Sequence, residues 1–420
     1  MVLPVRSPKP PAPVARPRLI NRAFALLWGG QTISVLGSHI TGSGIPLIAI
    51  LLLKASPAEV GLLIALSAVP NLIFSLPIGV WIDRLPRRRL LIMTDLLRAL
   101  LLLSLPIASL IGYLHMGQLY LVTLLLSTCT IGFDTAYQAF LPQIVASDQL
   151  VEGNSKLGTS ASLAEMGGPP LAGVLIQTIG APLAVLFDAL SFLVSSASIW
   201  LIRPHEIQKI ESIEDRSSFW REIHEGLRAL SVQPLLRTLA IFTTLSTFFG
   251  GSFAALYTLY IVQELRIVPA FYGILVALGG LGALIGSLIL PRITRHYGVK
   301  RVLGFGALLH GLLTLLTPLA SGGTLLVLGT LGLSQLLGDI GFQLFALNEL
   351  SLRQGLVDDH VQGRVNSVMG FLVGGIAPLG SLLAGVLSEY IGIRMTLFCG
   401  SVGMLLSAVW LLLVLTRRPK

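Results

Sequence analysis

Eight ionisable side chains stand inside runs that are otherwise apolar: His39, Asp95, Arg98, Asp134, Glu165, Asp188, His310 and Asp339. A charge at the centre of a bilayer costs roughly 2.5–3.5 kcal/mol on insertion scales, so each such group needs a partner, water or a task. The chemistry open to this set is ion pairing and proton carriage, because an acid or base alternately shielded and wetted takes up and releases protons. Asp95 and Arg98 stand three residues apart, the spacing that lets two side chains on one helix face neutralise each other, and a local ion pair is expected. Covalent chemistry finds no comparable support. The chain has no G-x-x-x-x-G-K phosphate loop, so direct ATP coupling is not expected. Gly280, Gly282 and Gly286 sit in an unbroken apolar run, where helix packing explains them better than a dinucleotide. Cys129 and Cys399 also lie in apolar runs and read as small core residues, with neither a disulfide framework nor a thiolate zinc site. No catalytic residue, metal or cofactor is expected.

The elements that position these groups follow from composition. The 420 residues are 54% hydrophobic and only 12% charged, against about 25% charged in soluble domains. Too little polar surface is available to cover such a chain in water, so its outer solvent is hydrocarbon. A bilayer core about 30 Å thick needs roughly 20 apolar residues per helix. Runs of that kind cover 24–53, 58–81, 90–112, 118–142, 158–178 and 181–202, then 238–263, 268–291, 301–319, 323–348, 367–388 and 394–416. The fold class expected is therefore an all-α integral membrane protein of twelve transmembrane helices. Gly42, Gly44 and Pro46 interrupt the first run and predict a kink there.

The net charge of +9 collects in short loops and speaks of topology, not of nucleic acid. With the N-terminus in the cytoplasm, the external loops hold only Lys54, Arg266 and Arg394 among the basic residues. The other Lys and Arg outside the helices fall on the cytoplasmic side, Arg84 and Arg87 to Arg89 included. Both termini are then cytoplasmic, and a multi-pass protein of the plasma membrane is expected. Residues 1–22 form a basic, proline-rich tail without the features of a cleaved signal, expected to be disordered. The organisation that follows is a tail (1–22), a first six-helix half (23–202), a cytoplasmic linker (203–237), a second half (238–416) and a basic end (417–420). Within the linker, Phe219, Trp220, Ile223, Leu227 and Leu230 share one helical face, as in a helix lying on the membrane surface.

The halves read as duplicates. An offset of 212 residues carries Pro57-Ala58-Glu59-Val60-Gly61-Leu62-Leu63 onto Pro269-Ala270-Phe271-Tyr272-Gly273-Ile274-Leu275. The same offset carries Asn154-Ser155 onto Asn366-Ser367, Leu171-Ala172-Gly173-Val174-Leu175 onto Leu383-Ala384-Gly385-Val386-Leu387, and Ile179-Gly180 onto Ile391-Gly392. It also sets His310 opposite Arg98, which suggests a structural role for both. Parallel repeats of this kind place a substrate site between the halves, near the midplane.

After the second span the chain reads Gly79-Val80-Trp81-Ile82-Asp83-Arg84-Leu85-Pro86-Arg87-Arg88-Arg89. This resembles the signature loop of the major facilitator superfamily, G-x-x-x-D-R-x-G-R-R/K, with Pro86 where glycine is usual. Asp134 to Pro142, Asp188-Ala189-Leu190-Ser191-Phe192 and Gly363-Arg364-Val365-Asn366-Ser367 resemble more narrowly its drug and macrolide efflux and siderophore exporter branch. The resemblance covers the chain after its tail and extends to no particular substrate. It implies a conformational latch at Gly79, Asp83, Arg84 and Arg87, in which the Asp83 carboxylate answers a guanidinium and the N-terminus of the eleventh helix, capped near Asn366 or Ser367. Arg88 and Arg89 read as topology determinants alone.

The resemblance also implies that helices one, four, seven and ten line a central cavity. That assigns Gln31, Thr243, Tyr257, Tyr260, Gln343 and Asn348 as substrate-cavity candidates, and His39, Asp134, Glu165 and Asp339 as proton-coupling candidates. For His39 a neutral, hydrogen-bonded role stands beside titration, and for Asp134 a pairing with Arg84 or Arg87. Asp188 falls on the sixth helix, at the periphery. Gly167, Gly168, Pro169 and Gly173 read as a hinge or close-packing cluster on the fifth. No arginine stands between Tyr120 and Gln143, so the helix-four relay of many proton-coupled exporters is absent. The expected function is secondary transport by a monomer, with export of an amphipathic small molecule in exchange for protons. An importer, a facilitator or a lipid transporter on the same scaffold, or a sensor that moves nothing, are the alternatives.

Overall fold

The computed structural model describes residues 22–74, 86–145, 149–202, 227–228, 230–357 and 359–416. The N-terminal tail, Gly79, Asp83, Arg84 and most of the linker lie outside them. The first helices are α1 (Arg22–Leu47, prolonged by a π-turn at Ile48–Leu52), α2 (Pro57–Phe74), α3 (Arg87–Leu110), α4 (Met116–Ile144), α5 (Leu150–Ile179) and α6 (Ala181–Leu201). Then come α7 (Pro234–Leu259, prolonged by a π-turn at Tyr260–Glu264), α8 (Pro269–Tyr297), α9 (Val299–Thr314, with the turn Leu316–Leu319), α10 (Thr324–Leu356), α11 (Asp359–Ile391) and α12 (Ile393–Thr416). Ten of the described helices are long and apolar enough to cross a bilayer. The other two are α2, described over 18 residues, and α5, which carries Glu152, Lys156 and Glu165.

Helices dominate because hydrocarbon offers a backbone nothing to hydrogen-bond, so each segment must satisfy its own N–H and C=O groups. Proline opens α7 and α8 at N1 or N2, where its missing N–H costs nothing. Ser56 and Glu59 form a reciprocal capping box at the start of α2: the Ser56 N–H donates to Glu59 Oε2 at 2.8 Å, and the Glu59 N–H donates to Ser56 Oγ at 3.3 Å. One residue, Gly180, links α5 to α6, and Gly392 links α11 to α12. Their φ values of 87° and 84° belong to a region that side chains strongly disfavour. The kink expected near Pro46 appears as the π-turn that follows it. Helix α11 begins earlier than expected, so Asn366 and Ser367 lie about two turns inside it and do not cap it. An apolar-run scan misses this start because the first turns of α11 are polar.

Local features recur at the 212-residue offset. The π-turns at Ile48–Leu52 and Tyr260–Glu264 coincide, and so do Lys54 and Arg266, the non-glycine residues with positive φ (52° and 53°) among those described. Helix packing recurs too: α1 against α6, α3 against α6, α3 against α4 and α2 against α4 have counterparts six helices later in α7–α12, α9–α12, α9–α10 and α8–α10. The first and last six helices meet through α2 with α11 and α5 with α8. At both seams the backbones touch. A Cβ on Gly61 would stand 2.8 Å from the Ser381 carbonyl oxygen, and one on Gly385 2.7 Å from that of Pro57. Gly173 meets the Pro269 carbonyl in the same way, and Gly273 that of Pro169.

The core is divided accordingly. One large cluster crosses both halves, joining Leu47, Leu63, Ala172 and Val185 to Leu256, Tyr260, Leu275 and Leu397. It occupies the end of the bundle where α1 runs into α2 and α7 into α8. At the opposite end the clusters among the described residues are separate. Phe24, Leu91, Phe140 and Ile199 pack within the first six helices, and Leu239, Leu303, Phe345 and Leu411 within the last six. Leu230 joins a fourth cluster with Leu236, Ala240 and Val365, whereas Leu227 is exposed. Arg88 also proves to be more than a topology signal: it donates to the carbonyl oxygens of Ile199 (3.3 Å) and Trp200 in the last turn of α6. Arg394 serves α9 likewise, donating to Pro318 O at 2.6 Å and Ala320 O at 2.9 Å.

The seam contacts yield a stability prediction. Gly61→Val and Gly385→Val each drive a side chain into facing backbone, and should lower unfolding free energy in detergent by about 1–3 kcal/mol. Gly29→Val and Gly329→Val, where an added Cβ meets nothing within 4 Å, should leave the thermal midpoint much closer to wild type.

Candidate functional site

Two groups of buried chemistry emerge. The first lies where α1, α5, α8 and α10 converge. His39 on α1 is half-buried and packs directly on Gly168 of α5, where a Cβ would overlap its own. One turn earlier on α5, the exposed Glu165 carboxylate lies within electrostatic reach of both His39 and Asp339. Asp339 of α10 rests its carboxylate against Gly279 of α8, with the Gln335 amide nearby. Helix α8 bridges the set, since the adjacent Gly280 faces Met166 of α5. Three of the four expected proton-coupling residues thus come together, drawn from both halves. Asp134 is apart from them and exposed, and Arg87 turns to the Ala139 carbonyl oxygen (2.9 Å).

The cavity candidates separate. Thr243 and Tyr257 are half-buried, each with a hydroxyl lacking a hydrogen-bond partner. Gln343 is half-buried against Gly286. Gln31 is buried and donates to Ser195 Oγ of α6 at 3.1 Å, so it serves helix packing. Tyr260 is wholly buried in the cluster that crosses the halves. Asn348 donates to its own helix at Leu344 O (2.8 Å) and accepts from Thr294 of α8 at 3.3 Å. Gly168 and Gly173 are close-packing positions, Pro169 offers its carbonyl to Gly273, and Gly167 faces open space. Gly282 and Gly286 pack on the α10 backbone, as the sequence suggested.

The second group lies within the first six helices. Asp95 and Arg98 form the expected ion pair, both nearly inaccessible. The Arg98 guanidinium also sits between two aromatic faces, 4.2 Å from the Phe133 centroid and 4.2 Å from that of Phe192. Beside them is Asp188, which is not peripheral: it is 1% exposed and enclosed between α6 and α1. The reason is a stripe of glycines on the face of α1. Gly30 meets Ser195 and Ser198, Gly37 meets Asp188 and Ser191, and Gly44 meets Val185, so α6 lies backbone-close along α1. Sequence reasoning missed this arrangement, although the seven-residue spacing of those glycines opposite Ser191, Ser195 and Ser198 is a readable signal. His310, at the position of Arg98 in the second half, bonds through Nδ1 to the Gly338 carbonyl at 2.9 Å, a structural role.

Comparison with known proteins agrees with this architecture. A family profile described as transmembrane secretion effector matches residues 13–419. The multidrug efflux pump Tap of Mycolicibacterium fortuitum is 26% identical over 88% of this chain and 91% of its own. Macrolide efflux protein A of Streptococcus pyogenes is 24% identical over 88% of this chain and 90% of its own. Among solved structures, a bacterial homologue of the iron transporter ferroportin in its inward-facing state superposes with a TM-score of 0.77 at 19% identity, covering 94% of this chain and 99% of the other. The nucleoside transporter NupG gives 0.72 at 12% identity, covering 94% and 100%. The profile spans nearly the whole chain, and the chain belongs to the transmembrane secretion effector family of the major facilitator superfamily, as a multi-pass membrane transporter.

Proposed function

We propose that this protein exports an amphipathic small molecule in exchange for protons, by alternating access between two six-helix repeats. In this reading all twelve helices cross the plasma membrane, both termini are cytoplasmic, and the monomer is the working unit. The observation that carries it is the divided core. One hydrophobic cluster seals the halves together at the end away from the termini, while among the described residues near the termini the buried clusters each stay within one half. A carrier open at one end and closed at the other has this arrangement of contacts. The seams are interdigitated backbones, contacts that are made or broken as units rather than stretched.

Direction and coupling rest on further observations. The relatives named for multidrug and macrolide efflux favour export. His39, Glu165 and Asp339 straddle the junction of the halves, so rocking changes the water access of all three, and a proton bound in one state is released in the other. The latch at Gly79, Asp83, Arg84 and Arg87 completes the proposal. In this reading Asp83 holds the cytoplasmic ends together when they are closed and releases them when they open.

Inverted vesicles test the reading. Gradient-dependent accumulation of a macrolide or a lipophilic dye is expected when protons are supplied to the vesicle interior, and none without the gradient; binding without accumulation in gradient-holding vesicles would overturn export. Asp83→Asn should insert normally yet transport at least about tenfold more slowly, equivalent to a barrier raised by about 1.4 kcal/mol. Wild-type rates from a folded Asp83→Asn protein would remove the latch. Glu165→Gln and Asp339→Asn should uncouple substrate movement from the gradient, read as loss of substrate-induced alkalinisation with facilitated exchange retained. Unchanged coupling in both would remove the acidic pair as proton carriers.

A further inference from the structure

A cavity of about 390 Å³ opens inside the first six helices and is lined by residues of α1, α2, α4 and α6. Its volume falls within the range of small-molecule pockets, roughly 300–1,000 Å³. Most of the wall is apolar, with Leu63, Leu126 and Phe192 prominent. Set into that wall are Asp188 from α6, Thr41 from α1 and Thr123 from α4. Each of these three is nine-tenths or more buried, and each has an oxygen without a hydrogen-bond partner: Oδ2 of Asp188, Oγ1 of Thr41 and Oγ1 of Thr123.

The charges around the cavity do not balance. The ionisable groups that bear on Asp188 are Arg98 and Asp95, both from α3. Arg98 is already committed to Asp95 and to the faces of Phe133 and Phe192. Asp188 accepts from the Ser191 hydroxyl at Oδ1 (2.9 Å), and the Thr41 hydroxyl lies close to the same carboxylate, so its neighbours on α1 and α6 are neutral hydroxyls. Two carboxylates therefore share one guanidinium in a place where an unpaired charge is costly. A cation in the cavity supplies what is missing. A metal ion is a poor match, since three or more His, Cys, Asp or Glu side chains converge nowhere among the described residues. A primary ammonium is a good one: its three N–H donors match one carboxylate oxygen and two hydroxyls, and its apolar body matches the remaining wall.

We propose that this cavity binds a small organic ammonium, anchored by the Asp188 carboxylate with Thr41 and Thr123. The proposal rests on the export reading only for its physiological meaning, as the place where a cationic substrate is held. The glycine at position 37 belongs to the site, because a Cβ there would strike Asp188 Oδ1 and Ser191 Oγ, each at 2.5 Å.

The test is calorimetric titration of the purified full-length protein in nanodiscs with phenethylamine and with its neutral isostere, phenethyl alcohol. The amine should bind at least about tenfold more tightly, the worth of a hydrogen-bonded charge pair. Asp188→Asn should abolish that preference while leaving the weak affinity for the alcohol, and Asp188→Glu should keep part of it. Should Asp188→Asn fail to fold, Ser67→Phe supplies a second test: it plugs the α2 wall of the cavity and should remove amine binding with Asp188 intact. Equal affinities for the two probes, no amine binding at all, or a preference that survives Asp188→Asn would each overturn the site. Amine binding without transport in vesicles would keep the site and remove the export reading. Export of some other compound by a protein that binds no amine would do the reverse.

Discussion

Two helices in hydrocarbon gain nothing by burying leucines against each other, since lipid offers the same surroundings, so association depends on how closely their backbones approach. That constraint organises this molecule. Both seams between the halves are built where side chains are absent: Gly61 against Gly385, Gly173 against Pro269, Gly273 against Pro169. The contact of α1 with α6 obeys the same rule through Gly30, Gly37 and Gly44, and that of α8 with α10 through Gly279, Gly282 and Gly286. Close approach does more than hold helices together. It also makes the small recesses in which ionisable groups are kept from lipid, Asp188 opposite Gly37 and Asp339 opposite Gly279. Packing and chemistry are therefore set by the same residues.

The frame of the protein was legible in its sequence because its signals are local or periodic. Apolar runs marked the helices to within a few residues where the turns beyond the membrane are short. They fell short by about two turns at the starts of α5 and α11 and at the end of α10, where the outer turns are polar although still helical. The 212-residue offset was read from Pro57 and Pro269 or Gly180 and Gly392, residues whose backbone geometry leaves few substitutes. The ion pair of Asp95 with Arg98 was legible because both lie on one helix. Partners on different helices were not. Gln31 was read as facing a cavity but bonds to Ser195, and Asp188 was read as peripheral but is enclosed, because both facts depend on how α1 rotates against α6. A lone sequence carries that rotation only as a glycine spacing, which is easily taken for the ordinary glycine content of a membrane helix.

Comparing equivalent positions in the two halves separates scaffold from function. The glycines at the seams and at the one-residue links recur: Gly61 with Gly273, Gly173 with Gly385, Gly180 with Gly392. The intramembrane ionisable residues, Arg98 with His310 apart, do not. At the same offset Asp95 faces Ala307, Asp188 faces Gly400, His39 faces Gly251, Glu165 faces Ala377 and Asp339 faces Ser127. Selection for the fold alone gives no reason for this difference, because a buried charge weakens rather than strengthens a helix in lipid unless something compensates it. Asp95 and Arg98 compensate each other. The junction group and Asp188 have no such internal balance, and in a duplicated frame these one-sided, unbalanced groups are where a substrate or a proton has work to do.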